Sequence, residues 1–327
     1  MKIRPLFLVV LSVLLVLPAA LTRAQVIGSA GDSIYQLTPQ SRFEEGCFDP
    51  CRCVTHHFDS LIGTFRMTRG VPDPMFQVFD ITEVNWLVPG LGYRVTGKGT
   101  YRIGGEFARM HQLQLDLKVA DRDVQRYDSG LVLGGAEFPA INLTLAMNGM
   151  VCTDTVFHVQ AKPALPIQAI PFFLHGSTYQ EGCYGPCLCV IVSYPLLGRF
   201  GLLKLNVTDQ GADYAVLDVD WRVRQLNTSP LNGSTPVTGY GLYRYSRADG
   251  TQRMILDLIE DGRGPTRFDS GSVPGGGGQR RIDIDVAANG FACYDRVYSI
   301  HARRRAGNAW LQSVSPEPVT PPVTQAP

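Results

Sequence analysis

HQLQLDLKV, residues 111–119, places apolar side chains at Leu113, Leu115, Leu117 and Val119 and polar ones between them. A period of two belongs to a half-buried antiparallel strand, whose successive side chains point to opposite faces of the sheet. RIDIDV (281–286) alternates likewise through Ile282, Ile284 and Val286, and Val219, Trp221 and Val223 alternate with Asp220 and Arg222. Turn chemistry separates such runs at Pro89-Gly90, Gly104-Gly105, Gly134-Gly135, Asn148-Gly149 and Gly275 to Gly278. No long window has helical periodicity. The pattern predicts an all-β protein of short antiparallel strands, arranged as a sandwich or a meandering barrel.

The pattern is written twice. EGCFDPCRC (45–53) returns as EGCYGPCLC (181–189), and Leu61-Ile62-Gly63 with Phe65 as Leu196-Leu197-Gly198 with Phe200. Val84-Asn85-Trp86 matches Val219-Asp220-Trp221, and Leu115-Asp116-Leu117 matches Leu256-Asp257-Leu258. Tyr127-Asp128-Ser129-Gly130 matches Phe268-Asp269-Ser270-Gly271. Asn148-Gly149, Cys152 and Asp154 match Asn289-Gly290, Cys293 and Asp295. A repeat this long implies two homologous domains, since solenoid repeats run about 20–50 residues. The first is expected over 25–163 and the second over 172–305. A linker at 164–171 joins them, inside the proline-flanked PALPIQAIP (163–171), and a proline-rich tail follows at 306–327.

The 327 residues carry a formal net charge of +1, with 45% apolar and 18% charged residues. That balance argues against a disordered chain, and it lacks the basic footprint of a nucleic-acid binder. At the amino terminus, Lys2 and Arg4 precede an apolar run from Leu6 to about Leu17, and Thr22-Arg23-Ala24 supplies small residues before Gln25. This reads as a signal peptide over 1–24. It is not a transmembrane anchor, because the run is shorter than the ~20 apolar residues a spanning helix needs and Pro18 interrupts it. The expected location is outside the cytoplasm: secreted, periplasmic or in the cell envelope.

All eight cysteines fall in the repeats at matching positions, four per copy, as a disulfide framework in an exported chain requires. Bonds should therefore close within each copy. With Cys51 and Cys53 on one face of an extended strand, a direct bond between them is strained. The turn Phe48-Asp49-Pro50 favours Cys47–Cys51 with Cys53–Cys152, and by analogy Cys183–Cys187 with Cys189–Cys293. A four-thiolate metal site is the alternative, and it suits an oxidising compartment less well. No metal or cofactor is expected.

Other residues invite chemistry and have a structural reading beside it. Ser129 and Ser270, each after an aspartate, resemble nucleophiles, but Asp-Ser-Gly also makes a turn with the aspartate capping its own backbone. The histidines are His56, His57, His111, His158, His175 and His301, and none recurs at a matching position, so no triad is common to both copies. Asp116, Asp257, Asp154 and Asp295 are read as solvated strand residues rather than paired catalytic acids. Trp86 and Trp221 are read as core anchors, whereas Tyr101 and Tyr243 could line a groove. Arg303-Arg304-Arg305 is the only basic run, read as a solvated strand end. Asn142, Asn206, Asn227 and Asn232 fit the glycosylation acceptor pattern.

The expected protein is thus an exported, two-domain, disulfide-stapled β protein. It is expected to act as a structural or binding module with an extracellular or cell-envelope partner, and not as an enzyme. Two alternatives are a carrier holding a small apolar molecule in a barrel, and a secreted hydrolase with one active copy.

Overall fold

The computed structural model describes residues 32–304 except 53–55, 72, 135, 188, 225–232 and 276–279. The expected signal peptide, the tail, Cys53, Asn227, Asn232 and Arg305 lie outside the described residues.

The first half is built from β1 (Asp32–Leu37), β2 (Arg42–Phe48), β3 (His56–Ser60), β4 (Ile62–Arg69), β5 (Phe76–Val88) and β6 (Tyr93–Gly104). It continues through β7 (Met110–Val119), β8 (Gln125–Asp128), β9 (Val132–Leu133), β10 (Ile141–Ala146) and β11 (Cys152–Pro163). Each stave pairs antiparallel with the next, and β11 returns to pair with both β2 and β1, which closes the ring. Because β1 runs into β2 and β3 into β4, the described strands form eight staves. Of the two expected architectures, the meandering barrel is the one observed.

A short 3-10 turn, Pro166–Gln168, leads into the second half. Its strands are β12 (Ala169–Leu174), β13 (Ser177–Cys183), β14 (Val192–Thr208), β15 (Gly211–Arg224) and β16 (Ser234–Ser246). They continue as β17 (Thr251–Glu260), β18 (Arg263–Asp269), β19 (Val273–Pro274), β20 (Arg281–Ala287) and β21 (Tyr294–Arg304). The ring closes through pairing of β21 with β12 and β13, so the two barrels have the same stave order.

The alternation seen in the sequence becomes inside and outside. Leu113, Leu115, Leu117 and Val119 enter the first core, while Ile282, Ile284 and Val286 enter the second. Trp86 and Trp221 are fully buried at equivalent places and face Phe65 and Phe200 edge-on. Opposite each tryptophan lies a glycine of the Leu-x-Gly match: Gly63 pairs with Trp86 and Gly198 with Trp221. Their φ angles are 145° and 139°, and a Cβ would come within 2.3 Å of the Asn85 carbonyl or 2.1 Å of the Asp220 carbonyl. Only glycine lets the stave bend this closely over its neighbour.

The expected cysteine pairing is corrected. Cys51 bonds Cys152, Cys183 bonds Cys189, and Cys187 bonds Cys293, with Cα separations of 4.8, 5.1 and 5.2 Å. Cys47 is also disulfide-bonded. Cys47–Cys51, Cys53–Cys152, Cys183–Cys187 and Cys189–Cys293 are therefore not formed. The expectation placed Cys51 and Cys53 in a strand, but β2 stops at Phe48, the residue registered opposite Cys152. The chain then turns, with the Cys51 amide donating to the Phe48 carbonyl at 3.1 Å, and this folds Cys51 over Cys152.

The barrels meet side to side. The Asn85 amide donates to the Gly241 carbonyl at 2.6 Å, and the buried Arg94 pairs with Asp257 at 2.7 Å. Arg66 joins Asp32, Glu83 and Asp218 at 2.8, 2.9 and 2.6 Å. Leu203, Ala215 and Leu217 pack with Ile34, Ala164 and Leu205 beside this polar cluster. Burial lowers the pKa of the Arg94 guanidinium and raises that of the Glu83 carboxyl, and the paired charges Asp257 and Arg66 oppose these shifts.

Candidate ligand-binding ends of the second barrel

Both barrels have packed cores, and they differ at their ends. At the disulfide end of the first barrel, Tyr93 packs against the core edge-on to Phe43 at 6.2 Å, under the Arg122 guanidinium. At the other end Phe138 stacks on Phe79 at 5.5 Å and on Tyr101 at 6.3 Å. These two rings pack over the ends of the first core. In the sequence alignment of the copies, the residues matching Tyr93 and Phe138 are Thr235 and Gln279, neither of them aromatic, and Gln279 lies outside the described residues.

Its disulfide end holds a cleft of about 580 Å³ in which Tyr179, Tyr194 and Tyr298 face Glu181, Glu260 and Arg296. Glu260 pairs with Arg296 and accepts the Tyr298 hydroxyl at 2.5 Å, while Glu181 accepts the hydroxyls of Tyr179 at 3.4 Å and of Tyr294. Burial, reinforced by the neighbouring glutamates, holds the Tyr179 and Tyr298 phenols far above their ordinary pKa, so both remain hydrogen-bond donors. Tyr179 and Tyr194 stack at 6.2 Å. The first barrel has Phe43, Val119, Thr155 and Phe157 at the positions of Tyr179, Glu260, Arg296 and Tyr298. Strand periodicity gives no sign of this cleft. The signal lies in these copy-to-copy departures, where the apolar Phe43, Val119 and Phe157 of one barrel become Tyr179, Glu260 and Tyr298 in the other.

At the opposite end, a recess of about 90 Å³ is floored by Phe172, Leu202, Tyr214, Tyr243 and Ile282 and edged by Arg247. Tyr243 therefore lines a recess as expected, whereas its counterpart Tyr101 lies beneath Phe138. Burial pushes the Tyr243 phenol up to about 12, and its hydroxyl donates to Gln252 at 3.0 Å.

The remaining candidates occupy structural places. Ser129 and Ser270 each receive a backbone amide, from Leu113 and Met254, and donate to the next carbonyl, while Asp128 and Asp269 cap Gly130 and Gly271. These are turns, as read. Asp154 and Asp295 depart from the expected solvated reading: both are fully buried and anchor the Asn-Gly turns, accepting amides from Asn148 and Met150 or from Asn289 and Phe291. Asp116 pairs with Arg126 on the surface at 3.0 Å, but Asp257 is buried at the barrel contact. His56 and His158 share Glu44 at 2.7 and 2.9 Å, His111 meets the Tyr101 hydroxyl at 2.8 Å, and His301 meets Asp283 at 2.9 Å. None of the six histidines lines either recess of the second barrel. Asn142 is exposed on β10 and Asn206 half-buried on β14. Arg303 and Arg304 end β21.

No protein-family model, curated protein or solved structure matches this chain. The described disulfides are the chemistry of an oxidising, extracytoplasmic compartment.

Proposed function

We propose that this chain is an extracytoplasmic binding module in which the second barrel holds a small hydroxyl-rich ligand, of sugar size and polarity, and the first barrel is a solid support. One observation carries the reading: the tyrosine and glutamate cleft opens where the first barrel is filled by Tyr93. Its volume lies in the range of small-ligand sites, about 300–1,000 Å³. Carboxylates accept hydroxyl protons, the guanidinium and phenols donate, and a tyrosine face covers an apolar ring edge. The carboxylates of Glu181 and Glu260 are already engaged by tyrosine hydroxyls and Arg296, and no histidine lines the cleft, which supports binding over turnover.

Calorimetric titration with a panel of neutral mono- and oligosaccharides tests this. At least one should bind at one site per chain. Glu260→Gln and Tyr194→Ala should each weaken it tenfold or more, while Arg122→Ala in the first barrel leaves it unchanged. Absence of binding across the panel would sink the reading.

A further inference from the structure

The opposite end of the second barrel supplies a separate site. In the first barrel, the phenyl ring of Phe138 lies over Phe79 and Tyr101. The corresponding pair in the second barrel, Tyr214 and Tyr243, lies 6.1 Å apart at the floor of the open recess. The first barrel therefore shows what shape of group this mouth accepts: one planar ring entering from the rim.

The rim adds charge. Tyr243 and Tyr245 alternate inward along β16, and Arg247, next on that register, edges the recess. The first barrel has Gly105 there. Ile300 and Ala302 are buried on β21, and Arg304 follows on their register, opposite Phe172 of the recess floor. Ile282 and Ile284 do the same on β20, with Arg280 preceding them, and the Arg304 amide donates to the Arg280 carbonyl at 3.0 Å. Arg247, Arg280 and Arg304 have no ion-pair partner among the described residues. Part of the arginine run thus stands at the rim of an apolar, aromatic-floored recess.

We propose that this mouth binds a small aromatic carboxylate, its ring on Tyr214 and Tyr243 in the manner of Phe138 and its carboxylate at Arg247. A guanidinium presents a planar fork of donors that matches a carboxylate, and burial of the ring against apolar walls supplies the remaining affinity.

The test uses phenylacetate, benzyl alcohol and octanoate, titrated into the full chain by calorimetry. Phenylacetate should bind at one site, with benzyl alcohol and octanoate each at least tenfold weaker. Arg247→Ala should weaken phenylacetate at least tenfold and bring it level with benzyl alcohol. Ala212→Phe, which fills the recess from its wall, should abolish binding while the saccharide cleft keeps its affinity. In Phe138→Ala, benzyl alcohol should gain a second site, because the opened first barrel has no rim arginine at the Arg247 position. Octanoate binding as tightly as phenylacetate overturns the aromatic assignment. Phenylacetate binding that survives Ala212→Phe, or that is absent at millimolar concentration, overturns the site. Binding seen only after removal of the residues beyond Arg304 would give the recess to the chain's own end and overturn the small-molecule reading.

Discussion

At the scale of single residues, the two copies act as controls for one another. Tyr101 is buried and meets His111, and the equivalent Tyr243 meets Gln252. Burial, and then the charge of Arg109, lowers the His111 pKa below its ordinary value of 6.5. A histidine held neutral in the fold binds fewer protons than in the unfolded chain. Its contribution is therefore present above about pH 6.5 and is lost as pH falls below that toward its folded value. His111→Gln installs the second copy's solution, so its melting temperature should fall less than that of the wild type between about pH 6.5 and 5. An equal slope in both proteins would show that the buried imidazole is not the sensor. The tryptophans make a second pair. Neither indole N–H has a hydrogen-bond partner among the described residues, so Trp221→Phe should cost a fraction of Trp221→Ala, which should cost about 3–5 kcal/mol in denaturant melts.

At the scale of elements, the staves were legible because a barrel strand buries alternate residues, and HQLQLDLKV follows that rule from Leu113 to Val119, with the buried Gln112 its one exception. The staple was half legible. Matching cysteines in two copies fixed which four belong together, but the pairing depended on where β2 ends. That end is set by a turn, and turns have no period. The buried Asp154 and Asp295 were misread for the same reason, since their carboxylates serve turns that close only after β10 and β11 have paired. The mouths were not legible from one copy alone, because their walls come from strands far apart in sequence. The symmetry of the copies now predicts Cys47–Cys53, by analogy with Cys183–Cys189, and peptide mapping of the non-reduced protein should recover that linkage. Removing the long staple with Cys187→Ala and Cys293→Ala should lower stability by about 2–5 kcal/mol, read as a shifted unfolding midpoint with the first barrel unchanged.

At the scale of the molecule, the contact between barrels is polar, buried and unequal. Asp257 is held by Arg94 of the other barrel, whereas its sequence counterpart Asp116 meets the exposed Arg126. Asp257→Ala strands a buried guanidinium and should cost about 3–5 kcal/mol, separating one calorimetric transition into two. Asp116→Ala should change stability by less than about 1 kcal/mol. Equal effects would mean that the barrels do not depend on each other. The long staples have a mechanical consequence as well. In each barrel the first and last staves lie side by side, so a pull along the chain begins by peeling them apart. The peeling stops at Cys51–Cys152 or Cys187–Cys293, which span sequence separations of 101 and 106 residues. Most of each barrel is covalently shielded from tension, and a stretched chain of this kind behaves as two beads of limited extensibility on a short cord.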